Sequence, residues 1–182
     1  MTSYQYDKMK HPVKKTDALN GTVKYDYDLM WNIIKETNEN GNYKTYEYDK
    51  LNRLVSSTDN NGNKTVYTYD PNGNPVKITD AIGQIVYNQY DALNRVTSLT
   101  NKEGNVTTYK YDGAGNIVET TDALGNSAYF TYNTLNRLVK MTLKRIDTQD
   151  DVSEDQVTLY KYDGRGLVTN VVNAKNDGKL FV

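Results

Sequence analysis

The chain has no cysteine, three prolines, one tryptophan, two phenylalanines and one histidine among 182 residues. Without cysteine there is no disulfide framework and no thiolate metal site. With His11 as the single histidine, neither a Ser-His-Asp triad nor a histidine-based metal centre can be assembled, so His11 reads as a surface residue. Excess charge is also missing. A formal net charge of −1 argues against electrostatic capture of nucleic acid or of an anionic membrane. No apolar run approaches the roughly 18 residues that span a bilayer, and Met1 to Lys10 lacks the apolar centre of a signal peptide. Helix-period apolar stripes of useful length are absent, so no helix is predicted.

What the chain has is tyrosine, in 17 copies. A sequence poor in aliphatic residues must build its interior from tyrosine and β-branched side chains, and these suit a pleated sheet. The tyrosines are periodic. Tyr6, Tyr27, Tyr48, Tyr69, Tyr90, Tyr111 and Tyr132 are spaced by 21 residues, and Tyr162 follows after 30. That last gap is one period plus a nine-residue insertion between about 144 and 156. The next residue is Asp7, Asp28, Asp49, Asp70, Asp91, Asp112 or Asp163, with Asn133 after Tyr132. Two residues earlier stands Tyr4, Tyr25, Tyr46, Tyr67, Tyr109 or Tyr160, replaced by Asn88 before Tyr90 and by Phe130 before Tyr132. Fourteen tyrosines therefore have a positional cause.

Two turn signals recur in each period. After the tyrosine, Gly73, Gly115 and Gly166 stand three residues past Asp70, Asp112 and Asp163, while Asn52, Asn94 and Asn136 take that place in other units. Half a period later, Gly41, Gly62, Gly83, Gly104 and Gly125 stand three past Asn38, Asp59, Asp80, Asn101 and Asp122. Asp or Asn caps the turn by accepting backbone N–H bonds, and Gly or Asn accepts positive φ, the pattern of a type I turn closed by a left-handed residue. Each unit is therefore predicted as two strands and two turns. Between the turns, Thr65, Tyr67 and Tyr69 share one face and Lys64, Val66 and Thr68 the other. A 42-residue alternation overlays the repeat: Leu-Asn-Arg at 51–53, 93–95 and 135–137, with Gly-Asn at 73–74 and 115–116.

This pattern resembles the YD repeat, also called the Rhs repeat, most closely over Tyr48 to Asn63, Tyr90 to Asn105 and Tyr111 to Asn126. The resemblance covers about seven and a half units, so residues 1–182 read as a single array. The first unit departs from it at Lys8 to Pro12, the second at Trp31, which takes a Gly or Asn place, and the last is drifted. The resemblance implies an all-β fold of tandem β-hairpins forming one long, twisted, spiralling antiparallel sheet. It further implies a non-enzymatic structural module from a secreted or cell-surface protein. In bacterial Rhs and insecticidal toxin-complex proteins such a sheet forms a hollow shell around a C-terminal toxin; in teneurins it supports cell adhesion. Implied partners are further repeats or shell segments of a parent protein and a toxin cargo domain. The family's core-associated segment, self-cleavage region and C-terminal effector have no counterpart here, and no cofactor is implied.

The remaining chemistry is thin. Every recurring Asp has a capping role, which explains so many copies better than a glycosidase dyad does. The oxygen-rich turns at 38–42 and 59–63 do not follow the order of an EF-hand. Asp147, Asp150, Asp151, Glu154 and Asp155 read as a solvated hairpin loop. Tyr43, Tyr87 and Tyr129, outside the regular motif, and Trp31 at a turn tip are the candidates for stacking on a sugar, the basis of an alternative carbohydrate-binding or adhesion reading. Equivalent tyrosines should lie about 9.6 Å apart, two strands away. Ring stacking between repeats is therefore not expected; each ring should cover an aliphatic residue such as Leu54 or Val76 while its hydroxyl finds a polar partner. About fifteen strands in one sheet cannot bury both faces, so self-association or residence in a larger shell is expected.

Overall fold

The computed structural model describes residues 1–145, 155–174 and 180–181. The insertion expected near 144–156, the acidic residues Asp147 to Glu154 and part of the drifted last unit lie largely outside that range. Among the described residues there are seventeen strands and no helix. The chain forms two compact units, Met1–Tyr87 and Asn88–Val182. In the first, β1 (Ser3–Tyr6), β2 (Pro12–Thr16), β3 (Thr22–Tyr27), β4 (Ile33–Asn38), β5 (Tyr43–Tyr48), β6 (Leu54–Asp59), β7 (Lys64–Tyr69) and β8 (Pro75–Thr79) follow one another, and β9 (Ile85–Tyr90) leads into the second. The second continues with β10 (Val96–Thr100), β11 (Val106–Tyr111), β12 (Ile117–Thr121), β13 (Ser127–Tyr132), β14 (Leu138–Lys144), β15 (Gln156–Tyr162), β16 (Val168–Ala174) and β17 (Leu180–Phe181). Within each unit every strand pairs antiparallel with its neighbour in sequence, giving a β-meander.

The fourteen turns closed by paired backbone bonds among the described residues have one geometry. The N–H of the first residue donates to the carbonyl four residues on, and the N–H of the fourth donates back to the first carbonyl, as in Asp91 to Arg95 (3.0 Å) and Asn94 to Asp91 (3.0 Å). The capping oxygen accepts two more backbone N–H bonds, for Asp91 from Leu93 (2.9 Å) and Arg95 (3.0 Å). The fourth residue always has positive φ. Glycine or asparagine fills the place in all but two turns, where Lys10 (φ 68°) and Trp31 (φ 65°) are driven into it by the surrounding bonds. A turn at Asp17 to Asn20 (φ 68°), not among those expected from the sequence, completes the set.

The two kinds of hairpin are unequal. Every Tyr-Asp hairpin whose register is described contains a β-bulge on its return strand: Glu47 faces Ser56 but Tyr48 faces Leu54, leaving Val55 unpaired. Between hairpins the pairing is shorter, three residue pairs from β6 to β7 and three from β8 to β9. The sheet therefore opens at the tyrosine end between one hairpin and the next. Burial is shallow throughout. Val172 (5% exposed) is the one buried hydrophobic residue among the described residues, and Ser56, Ser57 and Thr142 are buried too. Tyr67 and Tyr69 are half-buried while Val66 and Thr68 on the opposite face are exposed, as the alternation predicts.

Candidate functional site, the repeat-to-repeat lock

The gap at the tyrosine end is closed by the tyrosines. Five hydroxyls donate to a backbone carbonyl on the return strand of the preceding hairpin: Tyr27 to Pro12 (2.7 Å), Tyr48 to Ile33 (2.9 Å), Tyr69 to Leu54 (2.6 Å), Tyr111 to Val96 (2.7 Å) and Tyr132 to Ile117 (3.0 Å). The sequence separation is 15 residues each time. Tyr162 reaches Leu138 across 24 residues (2.7 Å), so the same contact forms in the unit that carries the nine-residue insertion. Where the register is described, the accepting residue is the one beside the bulge, opposite the previous tyrosine, as Leu54 is opposite Tyr48. A bulge interrupts the ladder and leaves a backbone group that needs a partner. The next repeat's tyrosine supplies it. The polar partner expected for the hydroxyl is thus a backbone carbonyl, that of Leu54 for Tyr69.

The earlier tyrosine of each pair is less uniform. Tyr46 donates to Glu36 on β4 (3.0 Å), and Asn88, where the rule fails, places its amide 3.4 Å from the Tyr90 hydroxyl. Burial, then the Glu36 carboxylate, pushes the Tyr46 phenol up to about 12. Burial also raises Tyr27, Tyr48, Tyr69 and Tyr132 above the ordinary 10.0. Because the folded values are raised, the stability these groups contribute is complete below pH 10 and is lost as pH climbs through the raised values. A spectrophotometric titration should therefore show a late tyrosinate fraction that ionises together with loss of the strand circular-dichroism signal. Full ionisation with no loss of that signal would count against the lock.

Arginine and asparagine couple the turns, in alternation. Arg53 is held by Asp49 (Nε to Oδ2, 2.7 Å), lies over the Tyr69 ring (4.8 Å) and donates to the Asp70 carbonyl (3.1 Å). Arg95 repeats this with Asp91 (2.7 Å), the Tyr111 ring (4.5 Å) and the Asp112 carbonyl (3.2 Å). Arg137 follows Asn133 and so lacks the ion pair, yet still covers the Tyr162 ring (5.7 Å). Its guanidinium also fills the space beside Gly166, where a Cβ would come within 2.8 Å of it. In the intervening units, Asn32 and Asn116 bind their own Asp28 and Asp112 (both 2.9 Å) and pass a second bond to Asn52 (3.2 Å) and Asn136 (3.1 Å) in the next turn. The 42-residue alternation follows: an arginine turn precedes a glycine turn that leaves room for it, and an asparagine turn precedes an asparagine turn that accepts its amide.

The drifted first unit keeps this place by other means. His11 occupies the arginine position, beside Asp7 (Nδ1 to Oδ2, 3.4 Å), and faces the Tyr27 ring at 5.9 Å. It stacks on Trp31 at 3.6 Å with 13° between planes. His11 is thus half-buried in an aromatic contact rather than a free surface group, because the tryptophan at the left-handed position points its indole back over the preceding turn. Tyr43, Tyr87 and Tyr129 lie on the opposite face from the lock, 40%, 45% and 38% exposed. Each has a lysine ammonium over its ring: Lys35 (4.7 Å), Lys77 (5.9 Å) and Lys144 (5.6 Å). Among the described residues no group of three or more acidic, histidine or cysteine side chains is placed to hold a metal.

Tyrosine hydroxyls on bulge carbonyls, with arginines and amides bridging successive turns, define a structural array in which every hairpin is a binding site for the next. The chain belongs to the RHS-repeat family, whose profile matches residues 32–63, 48–85, 90–127 and 111–145, more than half of its length. No curated protein sequence matches it. Three crystal structures share the fold: TcdB2-TccC3-Cdc42 (13% identity, TM-score 0.75, 99% of this chain and 12% of that one), TcdB2-TccC3 without its hypervariable C-terminal region (14%, 0.76, 97% and 11%) and TcdB2-TccC3 (15%, 0.75, 96% and 12%). The chain therefore spans about an eighth of the length of these neighbours.

Proposed function

We propose that this array is a stretch of wall from a secreted or surface protein whose shell encloses or presents a C-terminal toxin, and that its role is structural rather than catalytic. The observation that carries the reading is the hydroxyl-to-bulge lock, which lets hairpins be added side by side without limit and uses the recurring tyrosines and aspartates entirely for cohesion. The partners are then further repeats of the same wall and the enclosed cargo. The alternative carbohydrate or adhesion reading needs open aromatic faces; lysines over Tyr43, Tyr87 and Tyr129 and His11 against Trp31 favour the structural one. In the parent protein, a segment following the repeats should resist limited proteolysis, and should become cleavable when Tyr69 and Tyr111 are both replaced by alanine. A segment digested at the same rate in both proteins would sink the proposal.

A further inference from the structure

Arg53 and Arg95 couple their turns to the next with a permanent cation, set between an aspartate and the ring of the following tyrosine. In the first unit that place belongs to His11, whose charge is conditional. Among the described residues, its Nδ1 alone is a buried side-chain nitrogen or oxygen without a hydrogen-bond partner. The atom stands 3.4 Å from Oδ2 of Asp7. A neutral ring gives that carboxylate a lone pair or an uncharged N–H; an imidazolium gives it a charged donor. The groups facing the ring are few. Asp7, from its own turn, is held below the ordinary 3.8 first by the His11 backbone N–H and also by the His11 side chain, so it stays ionised in mild acid. Tyr27, on β3, donates its hydroxyl to the Pro12 carbonyl and is kept neutral by burial. Trp31, in the second turn, stacks on the imidazole at 3.6 Å. Asp28, which heads that turn, is occupied by the Asn32 amide and by the backbone N–H groups of Met30 and Asn32. Among the described residues no lysine or arginine forms an ion pair with Asp7.

We propose that His11 is a proton-operated coupling between the first two hairpins. Protonated, it takes the part that Arg53 and Arg95 play permanently, paired with Asp7 and lying as a cation over the Trp31 ring. Deprotonated, it leaves the first hairpin held by the Tyr27 hydroxyl and the strand ladder. The joint it governs is weak: β2 and β3 share three residue pairs, one of them Lys14 against Lys24, like charges directly opposite. The added hold is present on the acid side of the histidine range and is lost as pH rises through it. It is local, because each unit of a repeat array contacts only its neighbours. The coupling holds whether or not the array encloses a cargo.

Hydrogen exchange on the whole chain, expressed as protection factors at about pH 5 and about pH 8, brackets the histidine range and tests the coupling. In wild type the amides of β1 and β2 should be roughly two- to five-fold better protected at the acid limit, the effect expected of a cation over a part-exposed ring, with β7 and β8 unchanged. H11R should keep the acid-side protection at both pH values, and H11Q the lower value at both. H11R/W31G, which recreates the pairing of Arg53 with Gly73, should behave as H11R, so a poor fit of arginine against the indole is not mistaken for a missing switch. The Met1 amino group also titrates near the upper limit, but all four proteins carry it, so the difference between them belongs to His11. Trp31 is the single tryptophan. Its emission should fall in wild type with the same one-proton transition, since an imidazolium quenches a stacked indole more than a neutral ring does, and should stay flat in H11R and H11Q. Wild-type protection that does not change with pH, or a His11 variant that keeps the wild-type pH dependence, would overturn the inference.

Discussion

Tyr69→Phe is expected to lower the stability of the array by about 1 kcal/mol, the net worth of one hydrogen bond whose acceptor is left half-buried. The hydroxyl is the only part removed, and its bond to the Leu54 carbonyl is the shortest of the set at 2.6 Å. Tyr69→Ala should lose roughly 2–3 kcal/mol, below the usual range for a fully buried aromatic because the ring is only half-buried. The larger variant also strips the surface on which the Arg53 guanidinium lies. Urea unfolding followed by circular dichroism measures both. Hydrogen exchange adds a local readout, since stability in a repeat array is a sum of units and their interfaces: protection should fall first in β6 and β7. A Phe variant as stable as wild type, with unchanged exchange there, would remove the hydroxyl from the lock.

The second large effect is expected in acid. The carboxyls of Asp7, Asp28, Asp49, Asp59, Asp70, Asp91, Asp112, Asp122 and Asp163 are all held below the ordinary 3.8. The largest cause varies: the Asn74 amide at Asp70, the Arg95 guanidinium at Asp91, and the Arg53 backbone N–H at Asp49. Because the folded values are depressed, their contribution is complete above 3.8 and is lost as pH falls through the lower folded values. All nine carboxyls are shifted in the same direction, so stability should be flat near neutrality and fall as pH drops below 3.8. Replacing Asp59, Asp70 and Asp91 together by asparagine should blunt the fall. Asn133 already shows that an amide accepts the same two backbone bonds, from Leu135 and Arg137 (both 3.0 Å). An acid transition of unchanged steepness in that variant would assign it to other groups.

The turns were the most legible part of the fold. An acceptor at the first position and a residue tolerant of positive φ at the fourth are local requirements, and the 21-residue spacing shows them repeatedly. Lys10 and Trp31 depart from that preference because a residue can be driven left-handed by the bonds on either side of it, whereas Asp17 to Asn20 carries the same local signal as the other turns. The bulge was illegible for a related reason. Nothing in Leu54-Val55-Ser56 marks Val55 as unpaired; that is decided by where Tyr48 and Glu47 find their partners on the facing strand.

His11 and Trp31 show the same limit from the other side. Taken singly, one was a surface histidine and the other a turn-tip aromatic open to a ligand, yet twenty residues apart in sequence they are neighbours in space at 3.6 Å. The sequence by itself determined the all-β character, the hairpin period and the position of nearly every turn, because each depends on residues within a few places of one another. Only the tertiary structure decided why the period carries tyrosine rather than phenylalanine, and why arginine turns alternate with glycine turns. Both depend on the side chain of one repeat meeting the backbone of another, at distances that spacing along the chain does not reveal.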